Sequence, residues 1–235
     1  MAVKVIPVNE KVALPEVLRQ AVGCHHRPTL VLVGGASKLS DEDLQRVQAV
    51  FTNVLAPLAE QFGLIVVDGG TDAGVMQLMG NARMSIAGTF PLIGVAPAGL
   101  VNLPGQPASC EDAADLEPHH THCLLIPGSH WGDESPWMAE VATLLAADHS
   151  SVVMLINGGS ITWVDARVNV ESQRPVVVLA GSGRAADVLA QAIAGEPVED
   201  ERAQPLVASG LLSSVELHQA NSMLPKELKR LLRLG

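Results

Sequence analysis

The chain contains no tyrosine and only three phenylalanines, so any core it forms has to be built from Val, Leu, Ile, Ala and Met. Charge is scarce as well, with 17% charged residues against 48% hydrophobic. That balance supplies a substantial core for a chain of 235 residues, the size of one large α/β domain. The three cysteines, Cys24, Cys110 and Cys123, are scattered and never spaced as CxxC. This excludes a disulfide framework or a zinc ribbon and fits reduced thiols; Cys24 and Cys123 read as small buried residues. No apolar run approaches the roughly 18 residues of a membrane span. The start, MAVKVIPVNEK, has no apolar core of a secretory signal. The expectation is a soluble, cytoplasmic protein. A net charge of −10 argues against nucleic acid or an anionic membrane as main partner, because both need clustered Lys and Arg. A small phosphorylated ligand is not excluded, since it responds to local dipoles.

What the sequence does have is a series of short Val-, Ile- and Leu-rich runs closed by Gly, Pro or Asn. They are TLVLVGG (29–35), LIVVDGG (64–70), PLIGVAP (91–97), HCLLIPG (122–128), SVVMLINGG (151–159) and PVVVLAGSG (175–183). They are continuous rather than alternating, as in strands buried on both faces of a parallel sheet. Helical patterns separate most of them. Ser40 and Asp43 resemble a capping box opening DEDLQRVQAVFTNVLAPLAEQF, which Pro57 is expected to kink or split. Further helices are expected from Thr71 to about Arg83, from Ser135-Pro136, and from Arg184 to Ala194. VKVIPV adds a candidate edge strand and LPEVLRQAV a candidate small helix. Residues 98–117 read as a long loop. The tail 211–235 reads as helical, broken at Pro225. The alternation predicts a doubly wound α/β fold of about six or seven mostly parallel strands with helices on both faces. It reads as a single domain, 1–235, with a core at 29–195, an N-terminal strand and helix within 1–28, and a C-terminal helical segment at 205–235.

In such sheets ligands bind outside the carboxyl ends of the strands. Four glycine turns fall there: GGAS (34–37), GGTDAG (69–74), PGSHWGDE (127–134) and GSGR (181–184). A turn leading into a helix offers unpaired N–H groups and the positive end of the helix dipole, and glycine lets an anion approach the backbone. Turn geometry alone also calls for glycine, so the signal lies in four turns sharing one rim. The candidate phosphate-binding residues are Gly34, Gly35, Ala36 and Ser37; Gly69, Gly70, Thr71, Gly74 and Val75; Pro127, Gly128 and Ser129; Asn157 and Gly158; and Gly181, Ser182, Gly183 and Arg184. Arg184 places a cation at a helix start, which the dipole disfavours unless an anion sits nearby.

GGTDAGVMQLMGNAR resembles the GGGxxGLMGxxA motif of the LOG family of phosphoribohydrolases, which release a base from a nucleoside monophosphate. LIPGSHWGDES resembles that family's PGGxGTxxE motif more loosely. Counted from Pro127, the motif's glutamate falls on Ser135, and Glu134 stands one residue early. The patches VLVGGAS, GGTDAGVM, LIGVAP, LEPHHTH, PGSHWGDES, LINGG and LAGSGRAAD, over roughly 29–195, are more closely similar to prokaryotic SLOG domains of the LSDAT group, relatives of the cytoplasmic N-terminal region of TRPM channels. The resemblance implies a Rossmann-like fold and a ligand derived from a nucleotide, of the NAD, ADP-ribose or nucleoside phosphate type, with no further cofactor required. Together with the low charge content, it also implies a homodimer or higher homo-oligomer. One departure is large. LOG enzymes carry an arginine shortly before the PGG strand, whereas no Lys or Arg occurs here from Met84 to Ala166.

Glu134 is the candidate catalytic carboxylate for base release, although a glutamate there also simply suits its helix N-terminus. His119, His120 and His122 invite a metal reading. On a strand only His120 and His122 share a face, too few ligands for zinc without help, so contact with the ligand or plain packing are the alternatives. Trp131 could stack on a base or cap the core edge. Asp187 could hold a ribose hydroxyl or merely complement its helix.

Overall fold

The computed structural model describes residues 2–23, 26–36, 39–103, 105 and 110–235. Two expectations, Ser37 in the first glycine turn and Cys24 as a buried residue, lie outside the described residues.

Eight strands form one sheet: β1 (Lys4–Pro7), β2 (Thr29–Gly34), β3 (Ile65–Asp68), β4 (Leu92–Pro97), β7 (His122–Ile126), β8 (Ser151–Ile156), β9 (Val176–Ala180) and β10 (Leu212–Glu216). Their order is β1-β7-β4-β3-β2-β8-β9-β10, and every pairing is parallel. The α/β, doubly wound expectation holds, with one strand more than anticipated. That strand corrects the reading of 211–235 as wholly helical. LSSVE pairs in parallel with β9 from Leu212↔Val176 to Glu216↔Ala180, and the helix α9 (Ala220–Leu232) starts only afterwards. Pro225 sits inside α9 without breaking it.

The helices on the two faces are α1 (Leu14–Ala21), α2 (Asp41–Val50), α3 (Ala56–Phe62), α4 (Gly74–Ser85), α5 (Ser135–Ala146), α6 (Ser160–Glu171), α7 (Arg184–Ile193) and α8 (Ala203–Ala208). Alternate strand residues feed two cores. Leu30, Val66, Leu92, Met154 and Leu179 meet α2 to α4 and α9; Val31, Val67, Ile93, Val153 and Val178 meet α1 and α5 to α8. This two-sided burial explains the unbroken apolar runs. Ser40 caps α2, its Oγ accepting from the Asp43 N–H at 3.1 Å. Pro57 does not split the following helix. A π-helical turn at Phe51–Leu55 joins α2 to α3 and accommodates the missing proline N–H.

The segment 98–117 is more than a loop. Its described part holds a 3-10 turn at Ala98–Leu100 and two short strands, β5 (Val101–Asn102) and β6 (Ala114–Asp115), paired in parallel. Leu116 then bridges Thr71, which ties the segment to the second glycine turn. Among the described residues no helix is long and apolar enough to cross a membrane.

Candidate functional site

From β2 the chain winds one way, through β3, β4 and β7. From β8 it winds the other way, through β9 and β10. The order therefore reverses between β2 and β8, and the crevice outside their carboxyl ends is where a ligand site is expected. A cavity of about 380 Å³ lies there, within the usual range for small-molecule sites. Gly34 and Gly35 line it from β2, Gly69, Thr71, Ala73 and Met76 from the second turn, and Trp131, Glu134 and Met138 from α5 and its approach. Gly159, Ser160, Ile161, Thr162 and Asp165 line it from α6, and Arg184 from α7. Gly34, Gly35, Ala73 and Met76 also border a second hollow of about 480 Å³ that runs past Ala36 and Gly74 toward Gln48. The cleft thus has two compartments meeting at the first glycine turn.

The glycines divide by cause. A Cβ on Gly34 would lie 1.9 Å from the Ile156 carbonyl oxygen, and one on Gly70 would lie 2.8 Å from Gly94 Cα; both have positive φ. Strand packing alone demands those two. Gly35 and Gly69 differ: a Cβ would come no nearer than 3.7 Å to Asn157 Oδ1 or 3.6 Å to Met76 Sδ. The fold does not require glycine there, yet both leave bare backbone on the cavity wall.

Three of the turns satisfy their own amides. Asp68 Oδ1 accepts from Gly70 N–H at 2.8 Å, Asp133 Oδ2 from Ser129 and His130 N–H at 3.0 Å each, and Asp187 Oδ1 from Gly181 N–H at 2.7 Å. Each carboxylate takes up backbone N–H groups of its own turn. Pro127, Gly128 and Ser129 accordingly lie off the cavity wall, and Gly181 and Asp187 border a separate depression. Asn157 and Ser182 are fully buried. They brace β8 against β9, Ser182 Oγ accepting from Asn157 N–H at 2.8 Å and Asn157 Nδ2 donating to the Ser182 carbonyl at 2.7 Å. Gly158 packs against Thr162 and Gly183 against Asn157, and Val75 is buried in the core.

The helix starts facing the cavity are different. α4 and α6 open on Ala73 and Gly159 without a side-chain cap. Arg184 adopts φ 56°, a costly backbone for a non-glycine residue that clusters at functional sites. Its guanidinium lies over Gly159, where a Cβ would be 3.1 Å from Nη2. A cation is thus held at the positive end of α6, an arrangement an anion between them would favour.

Glu134 immediately precedes α5, and its Oε2 accepts from Gly132 N–H at 2.8 Å. It is 8% exposed; burial and then the neighbouring Asp133 charge push its carboxyl above the usual range, against those backbone hydrogen bonds. Beside it stands a residue the sequence reading missed. Asp165 on α6 is 6% exposed, with Oδ1 accepting from Ser135 Oγ at 2.6 Å. Burial, reinforced by the charge of Glu134, pushes it up to about 7 despite that hydrogen bond. The strand–glycine–serine pattern of LINGGS was the available signal for its helix.

The histidines stand elsewhere. His120 is not on a strand with His122; it precedes β7 and is buried between two carboxylates, Nε2 2.7 Å from Asp68 Oδ1 and Nδ1 2.7 Å from Glu117 Oε2. His119 Nδ1 meets Glu117 Oε1 at 2.6 Å, and His122 meets Thr121 Oγ1 at 3.0 Å. Burial opposes the His120 charge, but Asp68 and Glu117 outweigh it and push the imidazole up to about 9. This cluster clasps the segment 114–121 to the second glycine turn. Cys123 next to it is buried, which pushes its thiol up to about 12.

A family model described as SLOG in TRPM, prokaryote, matches residues 27–225. The transient receptor potential cation channel subfamily M member 2 of Rattus norvegicus is 24% identical over 227 residues, covering 82% of this chain but 15% of the channel. Its Mus musculus counterpart is 26% identical over 206 residues, covering 73% of this chain and 14% of the channel, so the chain spans a small fraction of the channels' length. Among solved structures, the X-ray structure of TM1055 superposes with a TM-score of 0.54 at 18% identity. That match covers 85% of this chain and 99% of the other, a likeness of fold.

Proposed function

The chain belongs to the family of prokaryotic SLOG domains related to those of TRPM channels, and from that premise we propose that it binds a nucleotide-derived ligand in the cleft between β2 and β8. The observation that carries this reading is the convergence of Arg184, the uncapped start of α6 and the bare backbone of Gly35 on one wall. An anionic group seated there meets a full positive charge and a helix dipole together. Trp131, Met138 and Ile161 supply an apolar wall for a ring. The two compartments meeting at Gly34–Gly35 suit a ligand with an anionic linkage between two bulkier halves, as in ADP-ribose or NAD. No further cofactor is invoked. The protein works on this reading as a soluble, cytoplasmic homodimer or higher homo-oligomer, which light scattering checks.

Isothermal titration with ADP-ribose, NAD and nucleoside monophosphates tests the proposal. Binding by at least one, weakened roughly tenfold or more in Arg184→Ala, is expected from the loss of a charge-assisted contact. Gly35→Val should weaken it by obstruction. Gly70 and Gly183 are unsuitable probes, because valine at their positive φ would test the fold. Failure of a broad nucleotide panel to bind would overturn the reading.

A second reading, hydrolysis of a nucleotide's N-glycosidic bond, is favoured by Glu134, a shielded carboxylate on the cavity wall. Release of free base, lost in Glu134→Gln, is its test.

A further inference from the structure

The cavity holds a second carboxyl group. Glu134 precedes α5, and Asp165 sits one and a half turns into α6, so two helices bring two carboxyls to one wall of largely apolar side chains. Asp165 is fixed from two sides. Ser135, completely buried, donates its Oγ proton to Asp165 Oδ1 at 2.6 Å. Asn169 Nδ2 donates to the Asp165 carbonyl at 2.8 Å and so steadies the turn that carries it. Ser135 is also the position on which the glutamate of the phosphoribohydrolase motif falls. In this chain a hydroxyl stands there and holds a carboxyl that arrives from the next helix.

We propose that Asp165, oriented by Ser135, is the proton donor to the departing base in N-glycosidic hydrolysis of a nucleotide, with Glu134 as the acceptor of the attacking water's proton. This rests on the hydrolase reading of the cavity. A water oxygen forms a bond to C1′ while the C1′–N bond breaks and its electron pair stays on the base nitrogen. The Asp165 carboxyl proton goes to the base, and one water proton goes to Glu134. Exchange with solvent then restores both groups, so the products are free base and the ribose phosphate. No oxidant, reductant or metal is consumed.

The division of roles follows from surroundings. Burial raises both carboxyls, but Glu134 accepts backbone N–H groups at a helix N-terminus, which offset part of its rise. Asp165 has one hydroxyl donor in a buried setting, and its proton is retained up to about pH 7. Pairs of carboxyls driven apart in this way divide into acid and base. The charged groups around Asp165 are few. Glu134 comes from just before α5 and Arg184 from α7, both on the same cavity. Arg174, beyond the end of α6, is engaged by Asn169, and Arg202, before α8, lies over Trp163 at 4.5 Å. The strands beneath, β2, β8 and β9, contain no titratable side chain.

The chemistry also sorts substrates. A purine leaves as an anion unless protonated, whereas a pyridinium base leaves neutral and needs no acid. The test uses adenosine monophosphate and nicotinamide mononucleotide with wild type, Asp165→Asn and Ser135→Ala, following base release across pH, with binding followed by titration calorimetry and folding by circular dichroism. Asp165→Asn is expected to lower kcat for adenine release about 100-fold or more with KM little changed, and to spare any nicotinamide release. Ser135→Ala is expected to move the alkaline limb of the adenine profile to higher pH, because it removes a donor to the ionised form. If Asp165→Asn does not fold, the limb in Ser135→Ala decides. An unshifted limb, or an undiminished kcat in a folded Asp165→Asn, overturns the proposal. So does wild type that binds adenosine monophosphate without releasing adenine, an outcome that leaves the binding site standing; absence of binding removes both.

Discussion

His120 Nε2 lies 2.7 Å from Asp68 Oδ1, with both side chains closed to solvent. A second carboxylate, Glu117, holds the other ring nitrogen, and Asp68 Oδ1 also accepts from Gly70. The imidazolium therefore joins the second glycine turn to the segment that crosses above it. Because its folded pKa is raised from 6.5 to about 9, the contribution is complete below pH 6.5 and is lost as pH rises through 9. The stability at stake is on the order of 3 kcal/mol. Denaturant melts from pH 6 to 10 should show this decline. His120→Gln should be less stable at pH 6 and should lack that part of the slope.

Asp165 has the opposite effect on the fold from an ordinary surface carboxylate. Its pKa rises from 3.8 unfolded to about 7 folded, so the native state keeps a proton the unfolded chain has released. Stability must fall as pH climbs through that window. Asp165→Asn, which never ionises, is expected to be more stable than wild type at pH 8 by a few kcal/mol, on the order set by the shift. Thermal melts at pH 5 and pH 8 check it, with the larger gain at pH 8 because pH 5 lies only part of the way into that window. A group kept at such a cost suits a site where function and stability conflict.

Two glycine pairs separate packing from ligand access. Alanine at Gly34 or Gly70 drives a Cβ into backbone at positive φ and should cost about 3 kcal/mol or more. Alanine at Gly35 or Gly69 meets only ordinary contacts and should change stability by less than about 1 kcal/mol, while weakening nucleotide binding. Urea titrations alongside calorimetry distinguish the two classes.

Arg174 is 3% exposed, and among the described residues its hydrogen bonds go to neutral acceptors. It donates to Ser151 Oγ at 2.9 Å, to the Ala139 carbonyl at 3.1 Å and to Thr143 Oγ1 at 2.8 Å, and it engages Asn169. Burial pulls its pKa down to about 10. It pins α5 and α6 to the start of β8. Arg174→Ala, which orphans those acceptors, should cost about 3 kcal/mol or more in denaturant unfolding and loosen the two helices carrying Glu134 and Asp165.

The sheet was legible because strands buried on both faces must be continuously apolar, as TLVLVG and SVVMLI are. LSSVE was not, because an edge strand need bury little: only Val215 of β10 is buried. Helix α6 was hidden by its composition. SITWVDARVNVE is rich in β-branched residues that form helices poorly alone, and packing overrides them; Asp165 was lost with the helix. The glycine turns do follow the carboxyl ends of the strands, but nothing local announced that Asp68, Asp133 and Asp187 fold back onto three of them. Those hydrogen bonds span two to six residues and depend on turn conformation. Arg184 was legible because its charge opposes the helix it begins.

The central claim, an anion-binding cleft between β2 and β8, is tested most directly by a crystal structure determined with ADP-ribose or adenosine monophosphate at saturating concentration. The account predicts phosphate density within hydrogen-bonding distance of the Arg184 guanidinium and the first amides of α6, beside Gly35. Density for the nucleotide at another face, or an empty cleft in a saturated crystal, would contradict it.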